Sequence, residues 1–211
     1  MIGIYGGTFD PVHYGHLRPA LEVYEDFALS ELRFVPCGQP PHRRAPQASP
    51  AQRLAMVERA IAGLPGFIAD DREIRRGGTS YMIDTLRSLQ AEAGGQSLCL
   101  ILGVDAFAAF HTWHDWQDIP RLCNLLIMHR PEFEPGQVIQ DGELQQLVND
   151  RQVHDRAQFR NSHSGKLIFY PVTQLDISST RIRAAISQGR NIRFLLPDAV
   201  ISVIEQEGIY Q

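Results

Sequence analysis

SLCLILG (97–103) is an almost unbroken apolar run. A strand of this kind is covered on both faces, because a half-exposed strand alternates apolar with polar residues. NLLIMHR (124–130) repeats the pattern, and IGIY (2–5), LRFVP (32–36), FIAD (67–70) and KLIFYP (166–171) are shorter candidates. Between and after them lie segments with helical spacing, over 17–29, 50–63, 80–93, 179–188 and 198–207. Ser49-Pro50 offers an N-cap and a first-turn proline to the second of these, and Gly94-Gly95 stops the third. Such alternation predicts an α/β fold with a doubly wound, mostly parallel sheet. Residues 131–165 are more polar and less periodic, and read as an insertion or a surface segment. The 211 residues suffice to bury a core without staples, and the expectation is one domain over 1–211.

The charge balance excludes some partners. A formal net charge of −4 argues against a general nucleic-acid binder. The most apolar window, 98–110, is broken by Gly103 and Asp105 and is too short to span a bilayer. Cys37, Cys99 and Cys123 are widely spaced with no CxxC pair, so neither a zinc knuckle nor a disulfide framework is expected. No basic region followed by an apolar stretch opens the chain, and the expected location is cytoplasmic.

Directly after the first strand comes GGTFDPVHYGH (6–16). In a doubly wound sheet, ligands sit beyond the carboxyl ends of the strands. Gly6 and Gly7 let an anion approach the backbone there, Thr8 adds a hydroxyl, and a helix starting near His16 offers unpaired N–H groups to phosphate. His13 and His16, three residues apart, share a face if both lie on the first turn. Two imidazoles so placed can stabilise charge building on a phosphoryl group. Two ligands are too few for a metal site, and the pattern is neither a dinucleotide fingerprint nor a P-loop.

DISSTRIR (176–183) follows the last strand. Ser178 or Ser179 can cap a helix with Thr180 in its first turn. Arg181 falls near the positive end of that helix, a poor place for a cation unless an anion is present. Arg183 reads as solvated. Two helix N-termini with hydroxyls and basic groups suggest a triphosphate held between them.

GGTFDPVHYGH with ISSTRIR resembles the nucleotidyltransferase superfamily that carries H-x-G-H and a late S-S/T-x-x-R element. PPHRR (40–44), SYMIDTL (80–86), GVDAF (103–107), TWHDW (112–116) and LLPDAVISVIEQEGIY (195–210) narrow the resemblance to bacterial nicotinate-nucleotide adenylyltransferases. Arg43 stands where a lysine is common, and Met82 where a polar residue often sits. The resemblance implies a Rossmann-like fold whose C-terminal helices, 179–207, carry the second phosphate motif. It implies adenylyl transfer from ATP to nicotinate mononucleotide by in-line attack, without a covalent enzyme intermediate and without nucleic acid or membrane. Mg²⁺ travels with ATP and pyrophosphate, so no protein metal cage is expected.

The implied roles fall on particular residues. Gly6, Gly7, Thr8 and Phe9 meet the nucleotides, His13 and His16 hold phosphates, and Arg43, with His42, reaches in from the loop 37–50. Ser178, Ser179, Thr180 and Arg181 cover the departing phosphates, with adenine against the backbone from Ile177. Gly103 and Asp105 meet a ribose, although Asp105 also reads as a helix N-cap. Trp113 stacks on the pyridine ring, although aromatics spaced like Trp113 and Trp116 are usually core. The nicotinate carboxylate is read by backbone N–H groups near Met82 and His114, and Thr85 is a further residue against the mononucleotide. The same chemistry on nicotinamide mononucleotide or phosphopantetheine is the nearest rival. The family uses several oligomeric states, so none is expected in particular.

Overall fold

A computed structural model describes residues 1–40, 45–130, 139 and 141–211. Six strands form one sheet: β1 (Ile2–Gly7), β2 (Glu31–Pro36), β3 (Phe67–Ala69), β4 (Leu98–Gly103), β5 (Asn124–His129) and β6 (Leu167–Pro171). Their order is β3-β2-β1-β4-β5-β6 and every pairing is parallel. Each apolar run in the sequence became a strand, and the expected mostly parallel sheet is wholly parallel.

Alternate residues of the central strands feed two cores. Tyr5, Ile101, Leu126 and Met128 face one layer of helices. That layer contains α1 (Tyr14–Asp26), α2 (Pro50–Ile61), α9 (Ser179–Ser187) and α10 (Asp198–Gln206). Ile4, Leu100, Leu125 and Ile127 face the other, where α4 (Met82–Glu92) and α5 (Val104–Ala108) pack. Side chains of one strand point alternately to the two faces, so an apolar run is what a sheet buried on both sides requires.

The helix termini follow local chemistry. Ser49 caps α2 in a capping box with Gln52, and Pro50 occupies the first helical position, as expected. α1 begins at Tyr14 rather than at 17 because His13 acts as its N-cap. It stops before Ala28, whose φ of 45° turns the chain out of the helix. Three short helices lack a clear sequence signal: α3 (Arg72–Arg76), α5 and α6 (Ile119–Leu122).

The described part of 131–165 is not a loose surface segment. It forms α7 (Gly142–Arg151) and α8 (Arg156–Arg160), capped by Asp141 and Asp155 through bonds from Leu144 N at 3.0 Å and Ala157 N at 2.6 Å. Leu144, Val148 and Phe159 anchor these helices in the core, and Val153 N donates to Leu167 O at 2.8 Å beside β6. So few apolar anchors in a polar stretch give little periodicity to read.

Candidate active site

β1 and β4 are neighbours at the centre of the sheet, and the chain runs from them toward opposite edges. Their carboxyl ends, Gly6-Gly7 and Gly103, flank the topological switch point where such sheets hold ligands. A Cβ on Gly6 would lie 2.5 Å from Met82 Cε, so glycine is what lets the start of α4 close on the end of β1. A Cβ on Gly103 would meet nothing within 4 Å; the end of β4 faces open space.

Phe9 has a φ of 49° and turns its ring inward, where it packs 5.3 Å from His16 and 5.7 Å from Tyr5. The Phe9 side chain is thus committed to the core. The rings of His13 and His16 are stacked, with centroids 3.8 Å apart and planes at 27°. The His13 backbone N–H donates to His16 Nδ1 at 3.3 Å. That bond needs a lone pair on Nδ1, so the neutral His16 ring carries its proton on Nε2. Burial lowers His13 to about 4. Burial first, and the neighbouring His13 second, hold His16 well below the usual imidazole range. At neutral pH the pair is thus two uncharged rings.

The late motif docks onto the early one. Ser178 caps α9, accepting from Arg181 N at 3.3 Å. Ser179 Oγ donates to Pro11 O at 3.0 Å, and Arg183 Nη1 donates to Asp10 O at 2.7 Å. A Cβ on Gly15 would lie 3.1 Å from Ile177 O and 3.0 Å from the His13 ring, so two backbones meet there. The arginines differ from expectation. Arg181 turns to Asp176 at 2.8 Å, and both side chains are largely in water (69% and 81% exposed). Arg183, read as solvated, is the one folded inward, at 23% exposure. Thr180 accepts from Arg183 Nη2 at 3.3 Å.

On the other side of the switch point, Tyr81 and His114 bring their rings to 4.4 Å. This contact places the start of α4 beside the TWHDW stretch. No side chain caps α4, so the N–H groups of Met82 and Ile83 have no intrahelical partner. Trp113 and Trp116 are half-buried and both rest on Phe110, at 5.4 and 5.8 Å. Asp105 is exposed in the first turn of α5, and Gly103 takes the N-cap position suggested for it.

Thr85 does not face the pocket. It is fully buried; its hydroxyl donates to Glu73 at 2.6 Å and accepts from Arg76 at 3.0 Å. Burial raises the Glu73 carboxyl above its usual range. Thr85 thus braces α4 from behind, with its one proton given to Glu73. His42 and Arg43 lie outside the described residues.

Two polar groups gained no role from the sequence. Arg53 is fully buried and donates to Thr8 O at 2.9 Å and Gly38 O at 3.1 Å, tying the opening loop to the start of the loop 37–50. Asp10, 5% exposed, accepts from Gln47 N and Ala48 N, both at 3.0 Å, and so holds the far end of that loop. Among the described residues no group of three or more His, Cys, Asp or Glu is placed to hold a metal ion. Nor is any helix there long and apolar enough to cross a membrane.

The family model for cytidylyltransferase-like proteins matches residues 4–185, and the chain belongs to that class of nucleotidyltransferases. It is 50% identical over 211 residues to a probable nicotinate-nucleotide adenylyltransferase of Methylococcus capsulatus, covering 100% of this chain and 99% of the relative. A Pseudomonas aeruginosa protein of the same description is 46% identical over 213 residues, covering 100% of this chain and 97% of its own. Within the class, the chain belongs to the nicotinate-nucleotide adenylyltransferases. Its fold is similar to that of the Plasmodium falciparum nicotinic acid mononucleotide adenylyltransferase solved with NaAD, with a TM-score of 0.73 and 17% identity over 99% of this chain and 96% of that one.

Proposed function

We propose that this chain transfers the adenylyl group of ATP to nicotinate mononucleotide, giving nicotinate adenine dinucleotide and pyrophosphate in NAD biosynthesis. The observation that carries this reading is the docking of the late motif on the early one beside the switch point, through Ser179–Pro11 and Arg183–Asp10. The 50% identity to an adenylyltransferase over the whole chain supports the same acceptor. A phosphate oxygen of the mononucleotide attacks the α-phosphorus of ATP. The bond from that phosphorus to the bridging oxygen breaks, and pyrophosphate leaves opposite. Catalysis is positioning plus charge stabilisation.

The residues divide this work. His16 donates from Nε2 to the α-phosphoryl group, and His13 holds its ring in place by stacking. The backbone of Gly6, Gly7, Thr8 and Phe9 follows the nucleotides. Ser178, Ser179 and Thr180, with Arg181 and Arg183, attend the departing phosphates, and adenine lies along the backbone from Ile177. Gly103 and Asp105 take the ribose. His42 and Arg43 are the basic residues assigned to the acceptor side. Trp113 covers the pyridine ring, and N–H groups at Met82 and His114 read its carboxylate. Mg²⁺ enters as part of the substrate Mg-ATP. The setting is cytoplasmic, with one domain over residues 1–211.

The test is pyrophosphate release with Mg-ATP and three acceptors. Two hydrogen bonds to a carboxylate, each about 1.5–3 kcal/mol, predict a preference for nicotinate over nicotinamide mononucleotide of about 10²-fold or more. Equal use of acid and amide discards the carboxylate pocket; release with phosphopantetheine alone, or with none, overturns the assignment. The two arginines give a second expectation. Arg183→Ala lowers kcat/KM for ATP about tenfold more than Arg181→Ala, since a charged hydrogen bond contributes about 1.5–3 kcal/mol and Arg181 is an exposed pair worth little. Steady-state kinetics with ATP varied decides this; equal losses return Arg181 to the primary role.

A further inference from the structure

The Asp10 carboxylate gathers more than the loop 37–50. Oδ1 accepts the Tyr210 hydroxyl at 2.7 Å as well as Ala48 N at 3.0 Å. Oδ2 accepts Gln47 N at 3.0 Å and lies 3.7 Å from Arg183 Nη1. Three separate parts of the chain thus meet on one buried carboxylate: the segment leading out of the loop 37–50, the phosphate-side helix α9, and the tail beyond α10. The tail reaches Asp10 by a defined path. α10 packs against α2, whose N-cap Ser49 follows Ala48 directly. Ile209 N then donates to Ile204 O at 3.0 Å, and Gly208 and Tyr210, with φ of 60° and 68°, fold the chain back. Tyr210 is 8% exposed. Burial and the adjacent carboxylate both raise its hydroxyl far above the usual phenol range, so it remains a donor.

Resting on the adenylyl-transfer reading, we infer that Tyr210 is a positioning residue for that reaction: through Asp10 it fixes the loop that carries the acceptor-side basic residues relative to the helix that carries Arg183. Asp10 touches neither substrate in this role. Its three hydrogen-bond donors and the Arg183 guanidinium at 3.7 Å set the distance between two substrate-binding elements, and Tyr210 is the donor from neither of them. Without it, Oδ1 keeps only the Ala48 amide, and the carboxylate is free to shift toward Arg183.

Tyr210→Phe removes one oxygen and keeps the ring. A buried acceptor that loses a donor predicts a drop of about tenfold in kcat/KM for both substrates. Amide exchange should quicken at Gln47 and Ala48, while Val57 in α2 and Ile204 in α10 keep their protection. In an Asp10→Asn background the same change should cost less than about twofold, because residues acting as a unit are not additive. Unchanged kcat/KM in Tyr210→Phe overturns the proposal. So does exchange that quickens equally at Val57 and Ile204, which marks a general loss of stability, and so does full additivity with Asp10→Asn. A wild-type enzyme that forms no dinucleotide instead refutes the adenylyl-transfer reading, while the exchange at Gln47 and Ala48 still reports on the Tyr210–Asp10 contact.

Discussion

His16→Ala is expected to lower kcat about 10²–10³-fold, the size of effect found when one preorganised donor to a developing charge is removed, while circular dichroism stays near that of the wild type and the thermal midpoint falls by no more than the loss of one helix cap. The expectation rests on the tautomer. With Nδ1 engaged by the His13 N–H, the Nε2 proton is fixed, and the uncharged ring donates without having to be protonated first. The same bond helps cap α1, so alanine also leaves an N–H without its partner. His16→Gln separates the two effects. Glutamine at this third helical position restores a capping box but has no imidazole Nε2. If His16→Gln recovers stability and remains slow, the ring is the chemical contributor. If His16→Ala keeps its kcat, His16 leaves the mechanism.

Acid should destabilise the fold strongly through His13. Its folded pKa is lowered to about 4, whereas an unfolded histidine titrates near 6.5. The unfolded chain therefore binds a proton that the native state refuses. The stability contributed by the neutral ring is fully present above about pH 6.5, declines as pH falls, and is gone below about pH 4. A tenfold difference in proton affinity between the folded and unfolded chain corresponds to about 1.4 kcal/mol, so His13 accounts for a loss of about 3 kcal/mol across that window. Against a domain stability of about 5–15 kcal/mol this is a large share. Urea unfolding of wild type and His13→Asn at several pH values measures it. The difference between the two should shrink by that amount from pH 7 to pH 4; a constant difference shows that His13 titrates normally in the native state.

The sheet was legible because burial on both faces favours apolar residues: β4 is apolar up to its closing glycine, and β5 is apolar between Asn124 and His129 at its ends. α2 was legible because its start is written in Ser49, Pro50 and Gln52. The early and late motifs were legible as motifs. What failed was the direction of individual side chains. Arg181 and Arg183 lie two residues apart on one helix, and only the docking of α9 on Asp10 decides which turns inward. The S-S/T-x-x-R spacing, counted from Ser179, ends on Arg183 and was the signal available for it. Thr85 reads as polar and close to SYM, yet its hydroxyl is spent on Glu73, a carboxylate from an element without periodicity. Arg53 gave no sign at all, since a helical arginine is usually solvated and only tertiary packing makes two carbonyls its partners.

The placement of β1 bears on how the molecule comes together. Its two neighbours are β2, which follows soon after, and β4, so Ile2 must wait to pair with Leu98. The hydroxyl contact to Asp10 spans 200 positions. Loop closure grows costlier only slowly with length, by about 0.6 kcal/mol per doubling, so such distant pairing takes little from equilibrium stability. It bears instead on speed, because non-local contacts must be searched for before they reward the chain. Refolding is thus expected to proceed from the β1–α1–β2 unit outward, with transferase activity returning later than helical signal. A fragment lacking α9 and the tail would lose Ile182, Ala185, Ile209 and Tyr210 from the core, together with the contacts that gather on Asp10.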